Sequence, residues 1–227
     1  MNNENPTLAF LSARQFAYDV LRRLLIEEPT PELLKYLREA GLALFPCEDH
    51  FPVMAEAITA MQKDLQARNL QVGTDDFEAL HWDFTRLFIG PDAPPAPPWE
   101  STYVSRDKLL FQECTLAVKS FYKKYGFELT QKELEAADHI GYELDFMWNL
   151  SQQIVERAIL TPELTDETKA LLQASYTFLN DHLLAFITSF CRELHNHANT
   201  PFYRQLSLLL EPFLRNDQKQ IKELVNL

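Results

Sequence analysis

Three short patterns in the 227-residue sequence combine residue types that can do chemistry. Glu78-Ala79-Leu80-His81 sets a carboxylate and an imidazole three positions apart, which on a helix puts both on one face, the spacing that di-iron bundles use. Such a centre needs a second Glu-x-x-His pair and two more helical glutamates, and no second pair occurs. His195 and His197 are two positions apart, so a helix would point them to different faces, and a solvated helix end fits them better than a ligand pair. Asp138-His139 lies between Glu135 and Gly141-Tyr142-Glu143, at the start of an apolar stretch. Carboxylates on either side favour the charged imidazole, giving a base or a pH-sensitive donor. No nucleophile or cofactor pattern accompanies the pair. The plain structural alternative is that Asp138 caps a helix and His139 fills a polar niche.

A fourth feature bears on binding rather than on catalysis. Residues 90–98, Gly-Pro-Asp-Ala-Pro-Pro-Ala-Pro-Pro, hold five prolines in nine positions, which denies helix and ladder bonding and favours extended geometry. Trp99 follows directly. An aromatic carried by a stiff proline segment makes a pocket wall or, equally, a core anchor for the loop. Phe84, Leu87 and Phe88 run into the same loop on an apolar stripe of the kind that faces a core. Aromatics, prolines and carboxylates concentrate between residues 82 and 145.

The elements that must position these residues read as helices. Asn5-Pro6, Thr30-Pro31, Thr161-Pro162 and Thr200-Pro201 each join a capping side chain to a proline that loses nothing at the first helical position. Glu32 and Glu163 then suit the positive helix end. After the first start, Phe10, Ala13, Ala17, Val20, Leu21 and Leu24 form one stripe, with Arg14, Asp19, Arg22 and Arg23 off it. Further helices are predicted over 31–40, ended by Gly41, over 51–69, and from Thr74 or Asp75 through Phe88. Periodicity returns over 103–125, 134–157 and 166–197, the last being the longest candidate, and two helices follow over 201–214 and 217–225. No strand pattern or internal repeat occurs, and the expected fold is a single all-α domain over residues 1–227, of about eight to ten helices with a long Pro-rich loop.

Composition agrees and narrows the function. Only 5 glycines in 227 residues, about 2% against a usual 7% or so, argue against all-β folds, dinucleotide folds and phosphate cradles. With 21 Lys+Arg against 33 Asp+Glu, the net charge of -12 repels nucleic acid and anionic membrane and suits a basic partner. Cys47, Cys114 and Cys191 are odd in number, far apart and form no CxxC, so neither a disulfide framework nor a zinc site is indicated and a reducing cytoplasm is expected. The N-terminal residues carry no export signal, and no apolar run is long enough to span a bilayer.

Taken together, Phe84-Thr-Arg86-Leu87-Phe88-Ile-Gly90-Pro91, Pro97-Pro98-Trp99-Glu100-Ser101-Thr-Tyr103, Glu135-Ala-Ala-Asp138-His139-Ile-Gly141-Tyr-Glu143-Leu144 and Pro201-Phe202-Tyr203 resemble the TorD/DmsD family of redox-enzyme maturation chaperones, in order and in spacing. The resemblance covers roughly residues 10 to 215. It implies an all-helical cytoplasmic protein, not an enzyme and without a cofactor of its own. Such a protein binds the twin-arginine leader of a molybdoenzyme precursor, of the DMSO or TMAO reductase type, and holds it back from Tat export until the molybdenum cofactor is inserted. The Tat translocase and cofactor-biosynthesis proteins are further implied partners; nucleic acid and stable membrane insertion are not. A monomer is expected, with long connections that allow a domain-swapped dimer.

The family's leader-binding positions fall on Phe84, Leu87, Phe88, Pro98, Trp99, Asp138 and His139, with Glu135, Ser101, Tyr103 and Glu143 in support. Two positions depart from the family pattern: Phe84 stands where Trp is common, and Ala136 stands where the family has proline. The chemistry suits the assignment, since two guanidinium groups followed by an apolar stretch need carboxylates beside an aromatic groove. Asp138, helped by Glu135, Glu143 or Asp145, would take the arginines. The competing readings are a helical metal-dependent enzyme at Glu78 and His81, a hydrolase at Asp138-His139, and a helical adaptor in which Trp99 is core.

Overall fold

The computed structural model describes residues 5–47, 52–104, 113–129, 136–161 and 163–226. Helix α1 spans Pro6–Ile26, and the Asn5 side chain accepts from the backbone N–H groups of Thr7 and Leu8, as the Asn-Pro signal predicts. The Thr30 hydroxyl likewise caps α2, Pro31–Tyr36, which continues through a wide π turn over Leu37–Gly41. Helix α3 covers Pro52–Ala67 and α4 covers Asp75–Phe84, capped by Thr74 and extended by a second π turn, Thr85–Ile89. Residues 90–98 are neither helix nor strand and lead into a single turn, α5, Ser101–Val104. Helices α6, Glu113–Lys124, and α7, Ile140–Leu160, follow. Helix α8, Asp166–Phe178, passes through a third π turn, Leu179–Leu183, into α9, Leu184–His197. Helix α10, Pro201–Val225, completes an all-helical single domain.

Several boundaries differ from those predicted. Thr161 is the C-cap of α7 rather than a start, and α8 is capped by Thr165, whose hydroxyl accepts from Thr168 N–H. Of the segment predicted as one helix over 103–125, the described residues place α5 before and α6 after the stretch 105–112, which lies outside them. The helix predicted from 134 begins at Ile140, so Asp138 and His139 precede it. The two C-terminal helices are one, with Pro212 inside it. The break predicted before Asp217 is absent because that side chain faces inward: it accepts from Arg14 Nε at 2.7 Å and from the Tyr18 hydroxyl at 2.6 Å.

The same contact moves Arg14 to the buried face of α1, where it is 2% exposed and also donates to the Ser151 hydroxyl of α7 at 2.6 Å. A buried guanidinium survives only when paired in this way. Helix α1 lies along α7, and α10 packs against α3, α8 and α9. At Gly141 the Ile26 side chain from the end of α1 packs so close that an added Cβ would sit 2.5 Å from its Cγ1. No strand occurs among the described residues, and a lone antiparallel bridge joins Trp99 to His139. No helix of the described residues is long and apolar enough to cross a membrane.

Candidate functional site

The bridge between Trp99 and His139 is the centre of the site. Glu100 N–H donates to the Asp138 carbonyl at 2.9 Å and Ile140 N–H donates to the Pro98 carbonyl at 2.7 Å, clipping the end of the proline segment to the start of α7. Upstream, the segment leaves the second π turn at Gly90, with φ of 119°, where a Cβ would meet the Asp92 carbonyl oxygen at 2.6 Å, so only glycine fits. Ala96 N–H then returns to the Leu87 carbonyl at 3.3 Å. Trp99 is thus delivered, half-buried, with its ring edge-on to His139 at 6.0 Å.

His139 is the N-cap of α7, its Nδ1 accepting from Gly141 N–H at 3.1 Å. That bond requires a neutral ring nitrogen. Burial pushes the imidazole down to about 4, and the opposing charge of Asp138 is the smaller effect, so the expectation that flanking carboxylates keep His139 charged is corrected. Asp138 does not cap the helix either. It is fully buried, and its carboxylate accepts from Ser101 N–H at 2.9 Å and from the Thr115 hydroxyl of α6 at 2.8 Å, holding α5, α6 and the start of α7 together.

Two more carboxylates lie beside Asp138. Glu100, 2% exposed, has its Oε2 3.0 Å from Nδ1 of His182, which the third π turn presents. Glu143, fully buried on the first turn of α7, receives no hydrogen bond from an N–H or hydroxyl donor. Burial, reinforced by the charges of Glu100 and Asp138, pushes its carboxyl well above the ordinary value; once protonated, it has Glu100 as an acceptor within reach. Asp145, by contrast, is taken up by Arg22 at 3.1 Å.

Of the other anticipated residues, Phe84, Leu87 and Phe88 are 2%, 0% and 3% exposed. Phe84 and Phe88 pack on each other and on Tyr203, so these three form a floor to the clip rather than an open wall. Pro98 and Ser101 are buried, and the Ser101 hydroxyl lacks a partner. Tyr103 is half-buried and stacks on Phe186, and burial raises its phenol. Glu135 lies outside the described residues. Glu100, Thr115 and His182 were not anticipated. Glu100 adjoins Trp99 and could have been suspected, whereas nothing local marks His182, whose role comes from the register of a π turn.

The competing sites receive no such support. His81 stacks on Phe77 and meets Trp82 edge-on, and no group of three or more His, Cys, Asp or Glu among the described residues is arranged to hold a metal. His195 and His197 end α9, exposed, near Ser207 and Glu193.

The chain as a whole is similar to known proteins. The family model described as nitrate reductase delta subunit matches residues 54–192. The chaperone protein TorD of Aliivibrio fischeri is 30% identical over 220 residues, 95% of this chain and 97% of its own. TorD of Photobacterium profundum is 29% identical, covering 92% of this chain and 94% of its own, and the Tat proofreading chaperone DmsD of Salmonella typhimurium is 29% identical over 65% of each. The class is therefore that of redox-enzyme maturation chaperones, which are not enzymes. The chain belongs to the TorD/DmsD family.

Proposed function

We propose that the protein is a cytoplasmic chaperone that binds the twin-arginine leader of a molybdoenzyme precursor and delays its export until the cofactor is in place, the whole chain acting as one binding unit. The observation that carries this reading is the clip itself: a half-buried tryptophan presented beside three buried carboxylates, Glu100, Asp138 and Glu143. An apolar leader segment would lie on Trp99, backed by the buried Pro98, Phe84, Leu87 and Phe88, while the arginines face the acidic side. Tyr103 and His139 shape the rim with Ser101 buried behind them, and Glu135, outside the described residues, is proposed as a further acid. Burial of the apolar segment should supply most of the affinity, because an exposed charge pair contributes about 0 to 1 kcal/mol and a partly buried charged hydrogen bond about 1.5 to 3.

The test is calorimetric titration of a synthetic twin-arginine leader and a twin-lysine control, at low and physiological salt. Trp99 emission in a Trp82→Phe/Trp148→Phe background reports the location. Saturable binding that weakens in the control and changes Trp99 emission is expected. A folded protein that binds neither peptide would overturn the reading.

A further inference from the structure

At the other end of α1 from the clip, a cavity of about 320 Å³ lies between the first part of α1, the start of α3 and the middle of α10. Phe10, Met54 and Phe213 form its apolar walls, and Arg14 and Asp217, 2% and 3% exposed, are the charged pair among its described lining residues. From Arg14 to Ile26, which packs on Gly141 beside the clip, is about 18 Å of helix, so this is a separate place in the molecule. The guanidinium there is incompletely used. Its Nε donates to Asp217 Oδ1 and its Nη1 to the Ser151 hydroxyl, whereas the buried Nη2 has no hydrogen-bond acceptor. In the planar guanidinium Nη2 shares an edge with Nε, and a carboxylate lying side-on ordinarily serves both. Here Asp217 serves one, because its Oδ2 takes the Tyr18 hydroxyl proton at 2.6 Å. The spare donor therefore lies on the edge that faces Asp217, and both residues line the cavity.

A buried donor without an acceptor costs stability that a ligand recovers by supplying one. The choice of ligand follows from charge. Asp217 already balances Arg14, so an anionic ligand would be buried beside Asp217 with no cation to spare, while a hydrocarbon would leave Nη2 as it is. We propose that this cavity is a second binding site, for a small uncharged carbonyl compound with an apolar body, a ketone, ester or amide, whose oxygen accepts from Arg14 Nη2 while the body packs on Phe10, Met54 and Phe213. The volume stands at the small end of the range for ligand pockets, which suits a single ring or a short chain.

The experiment titrates acetophenone, α-methylstyrene and benzoate into the full chain carrying isotope-labelled methionine methyl groups. The probes share a phenyl ring and differ in bearing a carbonyl, a methylene or a carboxylate. Of the 4 methionines, Met54 lines the cavity, and its signal, assigned with Met54→Leu, reports occupancy. A saturable shift of the Met54 methyl is expected with acetophenone, with Kd at least about tenfold weaker for α-methylstyrene and for benzoate, since a hydrogen bond to a charged donor is lost in the one and an unpaired anion is buried in the other. Ala13→Leu enlarges a residue of the cavity wall and keeps both members of the ion pair, so it should abolish the acetophenone shift with the melting temperature unchanged. Should that variant not fold, the comparison of the probes on the wild type decides by itself. Equal binding of acetophenone and α-methylstyrene would show an apolar space in which Nη2 plays no part, tighter binding of benzoate would show an anion site, and no shift with any probe would show a space for solvent alone. Each of these, or undiminished acetophenone binding in a folded Ala13→Leu, would overturn the inference.

Discussion

Trp99 and Asp138 sit 39 positions apart in sequence and on either side of one bridge, yet their substitutions should fail in different ways. Trp99 is half-buried, so Trp99→Ala should leave the fold intact and weaken leader binding by about 2 kcal/mol, roughly thirtyfold in Kd, as for other aromatic anchors. Asp138→Ala strands the Ser101 N–H and the Thr115 hydroxyl in the interior, and should lower unfolding stability by about 3 kcal/mol in urea titration before any effect on binding is considered. A stable Asp138→Ala protein with lost binding would instead return Asp138 to the role of direct receptor. At this scale the sequence singled out Trp99, Asp138 and His139, which the structure brings to one bridge, but not the contacts each makes. The motif drew attention to Asp138, whereas its hydrogen bonds depend on donors from α5 and α6 that are distant in sequence.

The elements were more legible than their ends. Asn5-Pro6, Thr30-Pro31 and Thr200-Pro201 start helices because capping and a fixed φ are local physics that the pair contains by itself. Thr161-Pro162 carries the same signal, but its threonine closes α7, and the start passes to Thr165 four residues later. Arg14 and Asp217 look like surface and cap residues until α1 and α10 are brought together. The three π turns have no sequence signature, yet two of them aim the Leu87 carbonyl and His182 at the clip. The exit from the second turn gives a prediction of its own. Gly90→Ala places a Cβ against the Asp92 backbone in a conformation closed to other residues, and should cost about 2 kcal/mol or more in thermal or urea unfolding; an unchanged midpoint would show that residues 90–98 do not need this path.

For the whole molecule, the buried titratable groups set the dependence of stability on pH. Folding raises the Glu143 carboxyl well above 4.5, so its contribution is complete at pH below 4.5 and is lost as pH climbs toward its folded value. Folding lowers His139 from 6.5 to about 4, so its contribution is absent below about 4, grows up to 6.5 and is constant above. The two oppose each other between 4.5 and 6.5. His139 contributes equally to the wild type and to Glu143→Gln, so the melting temperature of the wild type relative to Glu143→Gln should fall as pH rises from 4.5. Identical slopes would show that Glu143 is already ionised in the folded chain.

The ion pair between Arg14 and Asp217 closes a span of 203 positions, joining the first helix to the last. A chain growing on the ribosome makes the arginine early and its counter-charge late. Until Asp217 has cleared the exit tunnel, α1 cannot seat against α7 without burying a bare cation, so the two helices stay apart or hydrated. The chain therefore cannot seat its first helix before α10 has been made, and a nascent chain halted ahead of Asp217 is itself a candidate for a chaperone's care.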